Sequence, residues 1–261
     1  MNKLPPMSGW LWIKRGFQIF RQQPAEMLTL FFIYMFFNII VSIIPYIGRF
    51  LPFLLIPVFA IGFMQACRQI ESGERVYPNL ILTGFRSPAL PKLLTLGAFY
   101  VAAVIAAIFL SSLLDDGAFL KVLTSVEPVD QKALPDASFQ SGVMLVALFF
   151  LPAVMAFWFA APLIVWNGMN VIKAIFYSIF AVKHAVRAFF VYGLGLLMVN
   201  FLSSIVLSLI VVIVGGNMLT LMIVVLPFSI AISVMTYCSF YPSYTDLFVP
   251  PGRGTHIEEI V

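Results

Sequence analysis

The strongest constraint in this sequence is a series of long stretches that contain no charged side chain. They cover residues 27–48, 50–67, 93–114, 142–172 and 188–245. A helix needs roughly 20 predominantly apolar residues to cross a bilayer, and the last stretch has room for two such helices. The sequence therefore predicts six membrane-spanning helices, over residues 26–44, 50–66, 93–114, 143–165, 188–214 and 218–237.

The composition of the chain excludes a water-soluble fold. Hydrophobic residues make up 62% of the chain and charged residues 10%, whereas soluble domains contain roughly 45–50% and about 25%. Gly215, Gly216 and Asn217 suit a tight turn between the last two predicted helices. We therefore predict an all-α, polytopic membrane protein.

The basic residues predict how the chain is oriented. With the N-terminus in the cytoplasm, 12 of the 15 lysines and arginines fall on the cytoplasmic side, and Arg49, Lys121 and Lys132 fall on the other. Short loops rich in these residues stay in the cytoplasm. We predict that both chain ends are cytoplasmic and that residues 115–141 form an outer loop. The pI of about 9.1 then reflects membrane topology and does not indicate a nucleic-acid partner.

Residues 9–24, GWLWIKRGFQIFRQQP, combine aromatic and basic side chains ahead of the first predicted span. A cleaved signal has a short apolar core and a small-residue cleavage site, and this segment has neither. At about 100° per residue, most of its apolar side chains share one half of a helical wheel, and Lys14, Arg15 and Arg21 share the other. This pattern is typical of an interfacial helix with its apolar half among acyl chains. A plain cationic flank that happens to be helical is the alternative.

A second segment, residues 171–187, repeats this pattern before the fifth predicted span. Lys173, Lys183 and Arg187 lie on one side of its helical wheel, and valines and isoleucines occupy most of the other. Cations at such a surface attract anionic lipid head groups. We predict a second interfacial helix here.

Leucine–proline pairs recur at matching depth in the even-numbered predicted spans. The pairs are Leu51-Pro52, Leu151-Pro152 and Leu226-Pro227. Because proline bends a helix, the pairs favour three pseudo-repeated hairpins, although proline is common in spanning helices anyway. The predicted organisation is an N-terminal segment over residues 1–25, a transmembrane domain over residues 26–238 and a cytoplasmic tail over residues 239–261.

The residues that enzyme chemistry needs are scarce and poorly grouped. The two histidines lie far apart in the chain, and no metal-ligand spacing includes them. Cys67 and Cys238 are too few for a zinc site and lie near a reducing compartment, so we expect buried packing and no disulfide. Adjacent Asp115 and Asp116 are interpreted as a solvated helix cap. We predict no enzymatic activity, no metal and no cofactor.

Asn38 and Asn200 are the candidate functional polar residues within the predicted spans. Amides at this depth more often hydrogen-bond helices together than bind a substrate. A polar cavity lined by both residues would favour a transporter or channel for a small or lipid-like solute. A dry, closely packed bundle would favour a scaffold.

Several stretches of the chain resemble one family of uncharacterised proteobacterial six-span inner-membrane proteins. They are FQIFRQQP (residues 17–24), LTGFRSPALPKLL (82–94), APLIV with AIFYSIFAV (161–165 and 174–182) and SYTDLF (243–248). The likeness extends more distantly to YciC-like proteins and to the membrane domain attached to some glycerophosphodiester phosphodiesterases. The resemblance implies six spans in a bacterial inner membrane with paired interfacial helices, and it implies no known activity.

Together these patterns lead to a functional hypothesis. We expect a multi-pass protein of the bacterial inner membrane that acts as a non-enzymatic, lipid-interacting scaffold or accessory factor. The candidate ligands for anionic lipid head groups are Lys14, Arg15, Arg21, Lys173, Lys183 and Arg187. The tail over residues 239–261 is a candidate contact for a protein partner.

Overall fold

Helices form the regular secondary structure of the chain over the residues that the computed structural model describes, which are 4–44, 47–113, 137–215 and 221–248. The α-helices are α1 (Ser8–Gln22), α2 (Pro24–Ser42), α3 (Ile47–Glu71), α4 (Thr83–Arg86), α5 (Leu90–Ser112), α6 (Ala137–Phe157), α7 (Ala160–Trp166), α8 (Val171–His184), α9 (Val186–Val214) and α10 (Leu226–Leu247). A 3-10 turn, Pro78–Leu82, precedes α4, and a π-helical turn, Leu221–Val225, precedes α10.

Among the described residues, six helical stretches are long and apolar enough to cross a membrane. In chain order, the first to sixth spans are Pro24–Ser42, Phe50–Glu71, Leu90–Ser112, Ser141–Trp166, Val186–Val214 and Met222–Leu247. They confirm the predicted all-α, six-span fold. Most ends differ by a few residues from the prediction, because capping and turn geometry set helix ends and apolar runs do not encode them.

The fourth span consists of two helices, α6 and α7, with a break between them. Pro162 lacks the N–H that would bond to the carbonyl of Trp158 in a continuous helix. Ser178 of α8 bridges the break, because its hydroxyl donates to the carbonyl of Met155 and accepts from the N–H of Phe159, both at 3.0 Å. A buried hydroxyl therefore satisfies backbone groups that would otherwise be unpaired within the membrane.

The prolines of the leucine–proline pairs do not occupy equivalent helical positions. Pro52 and Pro152 lie inside α3 and α6, whereas Pro227 lies in the first turn of α10. That turn directly follows the π-helical turn Leu221–Val225, so Pro227 nevertheless lies within the continuous helical stretch of the sixth span. The threefold repeat stays a prediction.

The fifth span stands apart from the main hydrophobic core, which the other spans share with α8. Within the described part of α9, the buried residues are Ala188, Tyr192 and Gly195, all in its first three turns. These turns pack with α1 in a second, smaller core. Cys67 and Cys238 are free thiols buried in the main core, as expected.

α10, the helix of the sixth span, continues past residue 238, the predicted end of the transmembrane domain, as far as Leu247. The hydroxyl of Tyr241 donates to Glu71 Oε2 at 2.9 Å, and that of Tyr244 donates to Asn167 Oδ1 at 2.8 Å. These aromatic side chains anchor the helix end in the bundle. The first part of the predicted tail is therefore packed helix and not an accessible peptide. Residues 249–261 and the outer-loop residues 114–136 lie outside the described residues.

Candidate functional site

α1 lies between the fifth and sixth spans at one end of the bundle, which we call the α1 side. Gly9 packs directly on the backbone of Ala188, and a Cβ at Gly16 would come within 2.6 Å of the Cα of Ser239. Small residues let helices approach this closely within a membrane protein. α8 lies on the same side, because α9 follows it directly and begins against α1.

Trp12 and Arg15 join α1 to the C-terminal end of α10. Trp12 is fully buried, and its Nε1 donates to Asp246 Oδ2 at 2.8 Å. The guanidinium of Arg15 forms an ion pair with the same carboxylate oxygen. The ring of Trp12 also meets the rings of Phe189 and Tyr192 edge-on, with centroids 5.2 and 5.7 Å apart. Arg15 was predicted as a head-group ligand, and in the structure its partner is Asp246.

The apolar half of α1 faces protein along much of its length. Trp12, Ile13, Gly16 and Ile19 are buried, whereas Phe17 is exposed. The expectation that this half lies among acyl chains is therefore wrong for the buried residues. Protein interior and lipid are both apolar, so an apolar helix face does not indicate which of the two covers it.

The other predicted head-group ligands are exposed on the α1 side. They are Lys14, Arg21, Lys173, Lys183 and Arg187. The guanidinium of Arg21 lies 5.7 Å from the ring centroid of Phe17, and the amino group of Lys173 lies 5.8 Å from that of Tyr177. These two cations therefore each lie beside an aromatic ring. Arg187 belongs to the first turn of α9, because the predicted helix over residues 171–187 ends at His184.

α8 buries a narrow stripe of small side chains, Ala174, Ser178 and Ala181. Phe176 and Phe180 are exposed next to the lysines of the same helix. The predicted separation into a cationic side and an apolar side is thus only part of the arrangement. Rings and cations point away from the bundle together, as an interfacial helix requires.

A recess at the start of α8 has two lysines among its lining residues. Lys92 from the start of α5 lines it with Thr95, Asn170 and Lys173. The unpaired backbone N–H groups of the first turn of α8 lie at this position, and such groups favour negative charge. The arrangement suits a phosphate-bearing head group. Lys92 was not among the predicted head-group ligands, because nothing in the sequence places α5 beside α8.

Asn38 and Asn200 are not brought together. Each side-chain Nδ2 donates to a carbonyl of its own helix, to Tyr34 at 2.7 Å and to Leu196 at 2.8 Å. Asn200 lines a groove between the fifth and sixth spans, and Asn38 is not part of that lining. The described residues therefore do not form a polar cavity lined by both amides, the arrangement that would have favoured a transporter or channel.

A separate cavity of about 200 Å³ lies inside the bundle, beside the break in the fourth span. Its aromatic lining comprises Tyr34, Phe59, Phe63, Tyr100, Phe157, Trp158, Phe159, Tyr237 and Phe240. The indole N–H of Trp158 is buried and has no hydrogen-bond partner among the described residues. An apolar lining with few polar groups suits an apolar or amphipathic ligand. This cavity could not be predicted from the sequence, because its rings come from several helices.

No group of three or more His, Cys, Asp and Glu side chains that could hold a metal ion occurs in the described ranges. The predicted interpretation of Asp115 and Asp116 as a helix cap falls outside those ranges.

The helices and the exposed cations of the α1 side define a polytopic α-helical membrane protein. The chain is 37% identical over 246 residues to the probable inner membrane protein BTH_II0599 of Burkholderia thailandensis, with 92% of this chain and 91% of that protein covered. The chain therefore belongs to the same family of inner-membrane proteins. No family model matches the chain, and no solved structure matches it.

Proposed function

We propose that this protein is a non-enzymatic, lipid-interacting protein of the bacterial inner membrane, which binds anionic head groups on its α1 side. In this role it acts as a scaffold or accessory factor for a membrane process. The observation that carries the proposal is the exposure of Lys14, Arg21, Lys173 and Lys183 beside exposed aromatic rings at one end of the bundle.

Two physical contributions support lipid binding at this end. Each cation near an anionic leaflet contributes about 1 kcal/mol, which corresponds to roughly a fivefold preference. Phe176 and Phe180, each more than half exposed, would insert among acyl chains close to those cations. Lys92 and Lys173 both line the recess at the start of α8, so a phosphate bound there would be attracted by two positive charges.

The proposal requires the α1 side to face the cytoplasm. The distribution of lysine and arginine predicts this orientation, and the cytoplasmic leaflet carries the anionic lipids. The resemblance to YciC-like proteins stays a prediction and supplies no activity. A protein partner of the tail over residues 239–261 stays a prediction.

Brominated lipids can test the proposal, because bromine quenches tryptophan fluorescence on contact. The full chain is placed in vesicles that contain brominated phosphatidylglycerol or brominated phosphatidylcholine in equal amounts. We expect stronger quenching by phosphatidylglycerol, reporting through Trp10 and Trp166 on the α1 side. A variant with Lys14, Arg21, Lys173, Lys183 and Arg187 changed to Gln should lose most of this preference. Arg15 is kept, because it pairs with Asp246.

The matched control changes Lys121 and Lys132 to Gln, which removes positive charge from the predicted outer loop. This variant should keep the preference for phosphatidylglycerol. Equal quenching by both lipids in the unmodified chain would overturn the proposal, as would an unchanged preference in the five-residue variant.

Transport of a lipid-like solute is a second candidate function. The aromatic cavity beside the break in the fourth span favours it, since interrupted helices often build binding sites near the middle of transport proteins. Tyr237 and Phe240 line both this cavity and the groove that contains Asn200. Movement of a lipid across a vesicle bilayer is the measurement that tests this candidate.

A further inference from the structure

The groove between the fifth and sixth spans has a polar lining at a depth where lipid-facing side chains are normally apolar. Its volume is about 560 Å³. The polar lining residues are Asn200, Ser203 and Ser204 on one wall, and Ser229, Ser233 and Thr236 on the other. Both walls belong to spans, so the groove lies within the membrane.

The groove ends close to the α1 side, where the two spans meet. The hydroxyls of Tyr192 and Ser239 hydrogen-bond at 2.6 Å and join the two spans at this end. α1 fills the space beside them, with Gly9 and Gly16 against the two helices. Beyond Gly195, no described residue of the fifth span is buried. The fifth span is therefore exposed along the groove, and the groove faces lipid.

The lining presents mainly hydrogen-bond acceptors. The hydroxyls of Ser204, Ser229, Ser233 and Thr236 already donate to carbonyls of their own helices, as does the Nδ2 of Asn200. A hydroxyl that donates once still has two lone pairs. These oxygens face a groove whose lining includes no Lys, Arg, Asp or Glu. Its chemistry suits a group that carries several N–H or O–H donors.

We propose that this groove is a lateral path for the head group of a phospholipid, whose acyl chains stay in the surrounding hydrocarbon. From Phe228 to Phe240 the lining extends over about 18 Å at 1.5 Å per residue, which is more than half of the roughly 30 Å hydrocarbon core. A polar lining lowers the cost of bringing a head group to this depth. The primary ammonium of ethanolamine offers three N–H donors to the acceptor oxygens, whereas choline offers none.

This path deepens the transport candidate and uses none of the exposed cations of the α1 side. The two proposals can therefore fail separately. A second copy of this chain is the competing occupant, because polar side chains at membrane depth also hold helices together. Single-cysteine cross-linking between copies distinguishes these occupants.

The experiment measures lipid movement in vesicles that contain the full chain. Tail-labelled fluorescent phosphatidylethanolamine or phosphatidylcholine is added during reconstitution, and dithionite then bleaches label in the outer leaflet. With the protein, we expect bleaching to proceed past the outer half, at least five times faster for phosphatidylethanolamine. The double variant Ser204→Leu, Ser233→Leu narrows the groove from both walls and should slow movement at least tenfold.

Ser208→Leu is the matched control, because Ser208 is on the same helix as Ser204 and does not line the groove. It should move lipid at the unmodified rate. The variant without the five cations should also keep this rate, even if its preference for phosphatidylglycerol is lost. Bleaching that stops at one half with the unmodified chain, equal rates for the groove variant and its control, or cross-linking of Ser204→Cys chains to each other would overturn the path.

Discussion

At the scale of single residues, Gly16 decides how closely α1 approaches α10. A Cβ there would meet the backbone of Ser239, so Gly16→Ala must push the helices apart. Overpacking of this kind typically costs about 1–3 kcal/mol. We expect a lower midpoint of thermal unfolding in detergent, and faster protease cleavage within α1.

Gly193 supplies the matched control for this substitution. A Cβ at Gly193 would meet no atom within 4 Å. Because alanine is favoured over glycine inside a helix by roughly 0.5–1 kcal/mol, Gly193→Ala should leave stability unchanged or raise it slightly. The two substitutions are chemically identical but differ in their surroundings, so only Gly16→Ala should lower stability. A shift in the same direction for both would contradict the close packing of α1.

At the scale of elements, Ser178 allows the fourth span to break inside the membrane. Ser178→Ala leaves the N–H of Phe159 and the carbonyl of Met155 without their partner. Buried unpaired groups cost about 1–3 kcal/mol. We expect lower stability and faster hydrogen exchange of the Phe159 amide. Ser208→Ala is the control, because that hydroxyl donates only within its own helix; equal exchange at Phe159 in both variants would refute the bridging role.

α1 shows what apolar periodicity can and cannot predict. The pattern of residues 9–24 predicts a helix, and α1 forms over Ser8–Gln22. The pattern does not predict that α10 covers the apolar half of α1, since lipid and protein select the same side chains. Gly9, Gly16 and Asp246 indicate this packing only when the neighbouring helix is known.

At the scale of the whole molecule, the six spans could be predicted because each is a continuous apolar run that a bilayer requires. The sites could not, because each is assembled from side chains on different helices. Asn200 could be selected as an intramembrane amide, but its neighbours across the groove, Ser229 and Ser233, are ordinary serines in the sequence. The orientation of the chain depends on charge alone and stays a prediction.

Labelling of single cysteines tests this orientation. Cys67 and Cys238 are fully buried, so they should contribute little background with a membrane-impermeant maleimide. In spheroplasts, we expect Lys132→Cys to react directly, and Lys14→Cys and Lys183→Cys to react only after permeabilisation. Reaction of Lys14→Cys and Lys183→Cys from different sides would contradict the placement of α1 and α8 at one end of the bundle. Reaction of both from outside would be consistent with the fold but would indicate the opposite orientation. The α1 side would then not face the anionic leaflet that the proposed function requires.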